Sequence, residues 1–230
     1  MAIDPKYKAV AFDMDGTFMD TVIDYVALAN SVFDTMIAFG IPESMILRGS
    51  YEREVESGTK WLVNNGRGNE IDILMERISE RTNEVEMEHG DVAKPYTGAV
   101  DVLTSLRRMG YKTGILTRGG KKYASMILKN NNIWDLFDVV IARDDFPMEE
   151  AKPSPKAMIN LGHALGVLPS EILFMGDHKY DWLTARDSGA GFYGVLTGGY
   201  TMQNWIDLKE NVQVIKGVAS LLDEDPIMKM

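Results

Sequence analysis

The chain contains no cysteine, which removes disulfides, thiolate nucleophiles and the usual structural zinc sites from consideration. It also has no stretch approaching the ~18 consecutive apolar residues that a membrane-spanning helix requires. Basic residues are in the minority: 24 Lys and Arg face 34 Asp and Glu, for a net charge of −10. A field of that sign repels nucleic acid and anionic membrane, so neither is expected as a partner. It also means that an anionic substrate would need a local cluster of cations. The first residues, Met-Ala-Ile-Asp-Pro-Lys-Tyr-Lys, carry charge early and precede only a short apolar run, unlike a signal or transit peptide. No internal repeat, low-complexity tract or long linker is visible. A soluble, cytoplasmic protein is expected.

The remaining composition, 45% hydrophobic and 25% charged over 230 residues, is that of a globular chain with one large domain, or one domain carrying a smaller one. Four short apolar runs share a pattern. Ala9-Val10-Ala11-Phe12 ends at Asp13, Gly114-Ile115-Leu116 at Thr117, Val139-Val140-Ile141-Ala142 at Arg143-Asp144, and Ile172-Leu173-Phe174-Met175 at Gly176-Asp177. Continuous apolar runs mark strands covered by helices on both faces, as in parallel α/β sheets. Helical spacing lies between them: Ala99, Leu103, Leu106 and Met109 before Gly110, and Ala157 to Leu165 before Gly166. Val212 to Ile215 reads as an edge strand and Val218 to Leu222 as a terminal helix.

From residue 20 to residue 94 the strand-like runs vanish. Val22, Val26, Ala29, Phe33 and Ile37 recur at helical spacing, as do Ile71, Leu74, Ile78 and Val85. The expected architecture is therefore an α/β, Rossmann-like parallel core flanked by helices (residues 1–19 and 95–230) with an inserted α-helical cap (residues 20–94). The hinges fall near Met19-Asp20 and Lys94-Pro95. Ligands of such sheets bind beyond the carboxyl ends of the strands, where Asp13, Thr117 and Asp177 fall.

Chemistry-bearing residues gather at those ends. In Asp13-Met14-Asp15-Gly16-Thr17, two carboxylates two residues apart would point to the same side if the strand continued through them. Such a pair can share Mg²⁺ or divide into an ionised nucleophile and a protonated acid; the same letters also suit a plain turn. Thr117-Arg118-Gly119-Gly120 offers a hydroxyl and bare backbone N–H groups to phosphate oxygens. Lys152 precedes Pro153-Ser154-Pro155, where Ser154 can cap a helix and Pro155 occupy its first turn, so its ammonium would stand near a positive helix end. Asp177 and Asp181, four residues apart across a strand end and a helix start, supply hard oxygens suited to Mg²⁺.

The ordered set Asp-x-Asp-Gly-Thr, Thr, Lys-Pro and Gly-Asp-x-x-x-Asp resembles the haloacid dehalogenase superfamily of phosphohydrolases, from Ala9 to about Gly198. The helical insert after the first motif, Asp13-Met14-Asp15-Gly16-Thr17-Phe18-Met19-Asp20, and Pro95-Tyr96-Thr97-Gly98 are similar to its phosphoglycolate phosphatase and β-phosphoglucomutase-like branch. The resemblance implies that Asp13 is the nucleophile forming an aspartyl phosphate. Asp15 would protonate the leaving alkoxide and then activate water. Mg²⁺ would be held by the Asp13 carboxylate, the Asp15 backbone carbonyl and Asp177, with Asp181 orienting the site, and Thr117 and Lys152 would bind phosphoryl oxygens. Arg118 stands where the branch more often has Asn, and His178 where a small polar residue is common. Arg118 is thereby a candidate for a substrate carboxylate or second phosphate. Arg53 and Lys60, in or after the segment Arg48-Gly49-Ser50-Tyr51-Glu52-Arg53, are candidates for substrate selection by the cap. The expected partner is a small phosphomonoester. Because Asp15 is a carboxylate, dehalogenase and phosphonatase activities are set aside. A phosphomutase and a phospho-acceptor module without turnover stay open beside a Mg²⁺-dependent phosphatase.

Overall fold

The computed structural model describes residues 3–49 and 51–228. Ala9–Phe12 forms strand β1 and Met19–Asp20 strand β2. Three helices follow, Tyr25–Ala38 (α1), Tyr51–Asn64 (α2) and Ile71–Met87 (α3), before Lys94–Pro95 (β3). Helices and strands then alternate: Ala99–Arg108 (α4), Lys112–Leu116 (β4), Lys121–Asn130 (α5), Val139–Ile141 (β5), Pro155–Leu165 (α6) and Ile172–Gly176 (β6). The chain continues through Lys179–Ser188 (α7), Gly191–Gly194 (β7), Met202–Asp207 (α8) and Gln213–Val214 (β8).

Six strands form one parallel sheet in the order β5-β4-β1-β6-β7-β8. Parallel neighbours need long crossovers, which the helices supply. Ala9, Val10, Ala11 and Phe12 of the central strand expose no surface, the physical reason its sequence is apolar without alternation. Ala9 and Ala11 join a core cluster with Leu161, Phe174 and Trp205. Phe12, projecting from the opposite face, meets Phe18 and Phe137 edge to face at centroid distances of 5.2 and 6.5 Å. β2 and β3 pair antiparallel, Met19 opposite Pro95 and Asp20 opposite Lys94, so the two chain segments bounding the insert are joined side by side.

The chain divides into two compact units, Met1–Thr21 with Val92–Met230, and Val22–Asp91. In the second unit α1 packs on α2 and α3, and Val32, Met36, Val55, Leu62, Leu74 and Ile78 are buried. The face of α1 is not the one its apolar spacing suggests. Val22, Val26 and Ile37 are exposed, whereas Ser31, Val32, Thr35 and Met36 are buried. Ser31 and Thr35 can face inward because their hydroxyls donate to the carbonyls of Leu28 and Ser31, at 2.8 and 2.6 Å, so that neither hydroxyl is buried without a partner.

Two local expectations are corrected. The terminal helix is a single 3₁₀ turn, Val218–Ser220. Five residues are too few to offset the cost of nucleating an α-helix, and the segment settles for one tight turn with Val218 and Leu221 buried. Ser154 occupies the N-cap position of α6 with Pro155 behind it, but its side chain makes no capping hydrogen bond. No helix among the described residues is long and apolar enough to cross a membrane.

Candidate active site

Strand register brings three carboxyl ends together. Phe12 lies opposite Ile115 of β4 and Met175 of β6, so Asp13 emerges beside Leu116 and Gly176, with Thr117 and Asp177 one residue further along. The sheet winds outward from β1 in both directions, and a reversal of this kind opens a crevice beyond the strand ends.

Asp13 is buried, and its amide donates to the Met175 carbonyl at 2.8 Å, a last rung beyond β1. The strand does not continue through Asp15. Phe18 N and Met19 N both donate to the Met14 carbonyl, and Gly16 takes φ +75°, a conformation that costs little only without a Cβ. A Cβ at Gly16 would also stand 2.8 Å from Asp177 Oδ2. The turn aims Asp15 at a residue 108 positions away: Tyr123 donates its hydroxyl to Asp15 Oδ1 at 2.6 Å.

Lys152 sits at the centre of the cluster. Its Nζ donates to Asp13 Oδ1 at 2.7 Å and to Asp181 Oδ1 at 2.6 Å, and its side chain is only 2% exposed. Asp181 accepts from the His178 amide through Oδ2 at 3.0 Å, tying the first turn of α7 to the lysine. Asp177 accepts from Thr17 Oγ1 at 3.1 Å and from Gly199 N at 2.5 Å. Gly176 is required by this packing, because a Cβ there would overlap the Asp181 carboxyl group. Gly176→Ala should therefore destabilise the protein by roughly 1–3 kcal/mol, as overpacked sites do; a denaturation midpoint equal to that of the parent would contradict the contact.

Asp13, Asp177 and Asp181 each offer an oxygen within 4.8 Å of the others. Burial is the main reason the Asp13 carboxyl is pushed up to about 6; Lys152 opposes the rise and the charge of Asp177 adds to it. Asp181 is pushed up to about 6, again chiefly by burial, with Lys152 opposing and Asp13 adding. Asp177 is raised by burial and then by Asp181. Burial disfavours the Lys152 ammonium, but Asp13 and Asp181 outweigh it and hold the lysine charged. Three carboxylates around one ammonium leave two formal negative charges in a water-poor place. That all-oxygen donor set fits a hard divalent cation such as Mg²⁺.

Thr117 is buried at the end of β4, and its Oγ1 accepts from Gly119 N at 2.9 Å. The bond uses a lone pair and not the O–H, but it occupies one of the amides that the sequence presents as bare. Arg118 is half-buried, its guanidinium carbon 4.8 Å from the Tyr180 ring centroid. His178 meets Tyr180 and Tyr200 edge-on, each at 4.8 Å. Arg53 and Lys60 belong to α2 of the helical unit; Lys60 is paired with Glu56 at 2.5 Å. Ser50, within the segment preceding Arg53, lies outside the described residues.

The sequence assigns no role to several further participants, although Thr17 and Tyr96 fall within its motifs. Thr17 and Gly199 hold Asp177, and Thr197 donates to the Gly16 carbonyl at 2.7 Å. Tyr96 donates to the Thr197 carbonyl at 2.7 Å. The Tyr96 hydroxyl is pushed up to about 12, first by burial and then by Asp20, Asp177 and Asp15.

Fold and site together define a class: a parallel α/β enzyme whose central strand delivers a buried carboxylate to a lysine-bridged acidic cluster at the point where the winding reverses. Residues 10–195 match the haloacid dehalogenase-like hydrolase family, and the chain belongs to that family. It is 28% identical over 226 residues to a phosphoglycolate phosphatase of Vibrio vulnificus, covering 95% of this chain and 96% of the relative. It is 27% identical over 195 residues to an N-acetylmuramic acid 6-phosphate phosphatase of Pseudomonas aeruginosa, covering 84% and 83%. The crystal structure of a hydrolase from Pseudomonas syringae superposes with a TM-score of 0.62 at 22% identity, covering 94% of this chain and 96% of that one. That likeness establishes the shared fold.

Proposed function

We propose that this protein is a phosphatase that hydrolyses a small phosphomonoester through a phosphorylated Asp13, with Mg²⁺ as cofactor. The observation that carries the reading is the Lys152 ammonium bridging Asp13 and Asp181, at 2.7 and 2.6 Å, inside a buried acidic cluster. A carboxylate that must attack a phosphate dianion needs its charge offset by a cation held in place beforehand, and a buried lysine does this without reorganisation. Asp13 attacks phosphorus while the ester P–O bond breaks, and the departing alkoxide takes a proton from Asp15. Asp15 then accepts a proton from the water that attacks the aspartyl phosphate, inorganic phosphate leaves, and Asp13 is restored. Thr117 and Lys152 bind the transferring oxygens. Asp13, the Asp15 carbonyl and Asp177 would hold Mg²⁺, with Asp181 orienting the site. Bound there, the ion supplies charge neutralisation between the nucleophile and the phosphate. Arg118 in the core and Arg53 and Lys60 in the helical unit are the candidates for recognising the rest of the ester.

The names of the relatives put phosphoglycolate first among substrates and sugar phosphates next. A phosphate-release screen over phosphoglycolate, sugar phosphates and nucleoside monophosphates tests the reading, with glucose 1-phosphates included so that a mutase product is detected. Release that stops in excess EDTA and returns with Mg²⁺ is the expected outcome; full activity in EDTA, or no release from any ester, overturns it.

The raised acids give a second test. Asp13 and Asp181, up from 3.8 to about 6, stabilise the folded state when protonated. That contribution is complete below their unfolded value and is lost as the pH rises through about 6. Mg²⁺ requires the ionised forms, so protons compete with it. At a hundredfold excess over its Kd, Mg²⁺ should raise Tm by roughly 5–10 °C at pH 7.5, and by clearly less at pH 5. Equal shifts at the two pH values would contradict metal binding at this cluster.

A further inference from the structure

We propose that Tyr123 is a positioning residue for Asp15, its hydroxyl holding one carboxylate oxygen so that the other exchanges protons with the leaving group and with water. The inference rests on the phosphatase reading above and adds a residue to it. Asp15 stands on a turn. Because residues 14–18 leave the sheet, the backbone ladder that fixes Asp13 does not extend to Asp15. An aspartate on a turn must have its side chain fixed by other contacts, and proton transfer at an ester oxygen tolerates little misplacement.

Tyr123 supplies such a contact. It stands in the first turn of α5 and is 1% exposed, and its hydroxyl donates to Asp15 Oδ1 at 2.6 Å. A part-buried hydroxyl-to-carboxylate bond of this length is short for an O–H donor and of the charge-assisted kind when Asp15 is ionised. The ring is itself held. Gly119 lies against it so closely that a Cβ there would stand 2.8 Å from Tyr123 Cδ1 and 3.1 Å from Cε1. Gly119 is fixed in turn by its amide bond to Thr117 Oγ1. The loop that presents Thr117 to the phosphate thus also sets the tyrosine that aims Asp15, and both sides of the phosphorus are referred to one short segment. Tyr123 keeps its own proton throughout; the proton given to the alkoxide and later taken from water belongs to Asp15.

Tyr123→Phe removes only the oxygen and keeps the buried ring. The experiment compares kcat/KM for phosphoglycolate, whose alkoxide leaving group needs a proton, with that for 2,4-dinitrophenyl phosphate, whose leaving group does not. Both are measured on one preparation, so their ratio is independent of the fraction folded. The expected result is a loss of about 10–100-fold for phosphoglycolate, carried by kcat with KM unchanged, and a change under about threefold for the aryl ester. In an Asp15→Asn background the same substitution should add no further loss. Equal losses for the two esters, or none, overturn the proposal; a parent enzyme that hydrolyses neither ester refutes the phosphatase reading instead. A crystal structure of Tyr123→Phe supplies a readout that does not depend on activity: an Asp15 side chain turned from its present direction supports the role, and an unchanged, well-ordered one overturns it.

Discussion

Asp13→Asn should leave a folded protein that releases phosphate on the order of 10⁴-fold or more slowly than the parent, the loss typical of a removed nucleophile. The amide matches the carboxylate in shape, so the change falls on chemistry and not on packing. Its oxygen can still accept from Lys152, which keeps its ion pair with Asp181. What it cannot do is displace an alkoxide from phosphorus, and the remaining cations and hydrogen bonds can only bind the ester. Substrate affinity in the variant, read by isothermal titration, should therefore survive while turnover does not. A fall in kcat of tenfold or less would mean that phosphorus bonds to a different atom.

Lys152→Met is expected to damage stability and activity together. Methionine fills a similar volume, but Asp13 and Asp181 lose their shared counter-charge in a place where the lysine side chain is 2% exposed. Removing one partner of a buried ion pair typically costs roughly 3–5 kcal/mol, because the charge left behind has neither water nor a partner. The sign of the pH dependence follows from the raised carboxyls. Without the ammonium both acids hold their protons to higher pH, so the window in which folding loses stability moves upward from about 6. Urea unfolding in EDTA should show a larger deficit at pH 7.5 than at pH 5. Turnover should fall on the order of 10²–10³-fold, the loss that follows removal of one preorganised donor to a transition-state oxyanion. A variant equally stable at both pH values, or with near-parental turnover, would remove Lys152 from the centre of the site.

Much of this is legible in the sequence because strand ends are legible. Ala9-Val10-Ala11-Phe12 and Ile172-Leu173-Phe174-Met175 are apolar throughout since both faces of those strands are covered, and an acid follows each run within two residues at strand ends that the sheet pairs. Lys152 has no such marker beyond its prolines; only the fold shows its ammonium between Asp13 and Asp181. Tyr123 is invisible in sequence, because a tyrosine early in a helix with buried neighbours reads as core and its hydroxyl partner is 108 residues distant. The direction of Asp15 is obscured for a related reason. Period-two alternation applies only while a strand lasts, and Gly16 ends it. On α1 the apolar spacing finds the helix but misses the buried face, since Ser31 and Thr35 satisfy their own hydroxyls and pass inward.

The most direct test is chemical capture of the phosphorylated enzyme. Quenching the protein during turnover of its best ester with Mg²⁺, and reducing with borohydride, converts an aspartyl phosphate to homoserine, which peptide mass spectrometry can place. Homoserine at position 13, absent without substrate, is the predicted result. Homoserine at another aspartate, or none while phosphate is being released through a detectable acyl phosphate, would contradict phosphoryl transfer to Asp13.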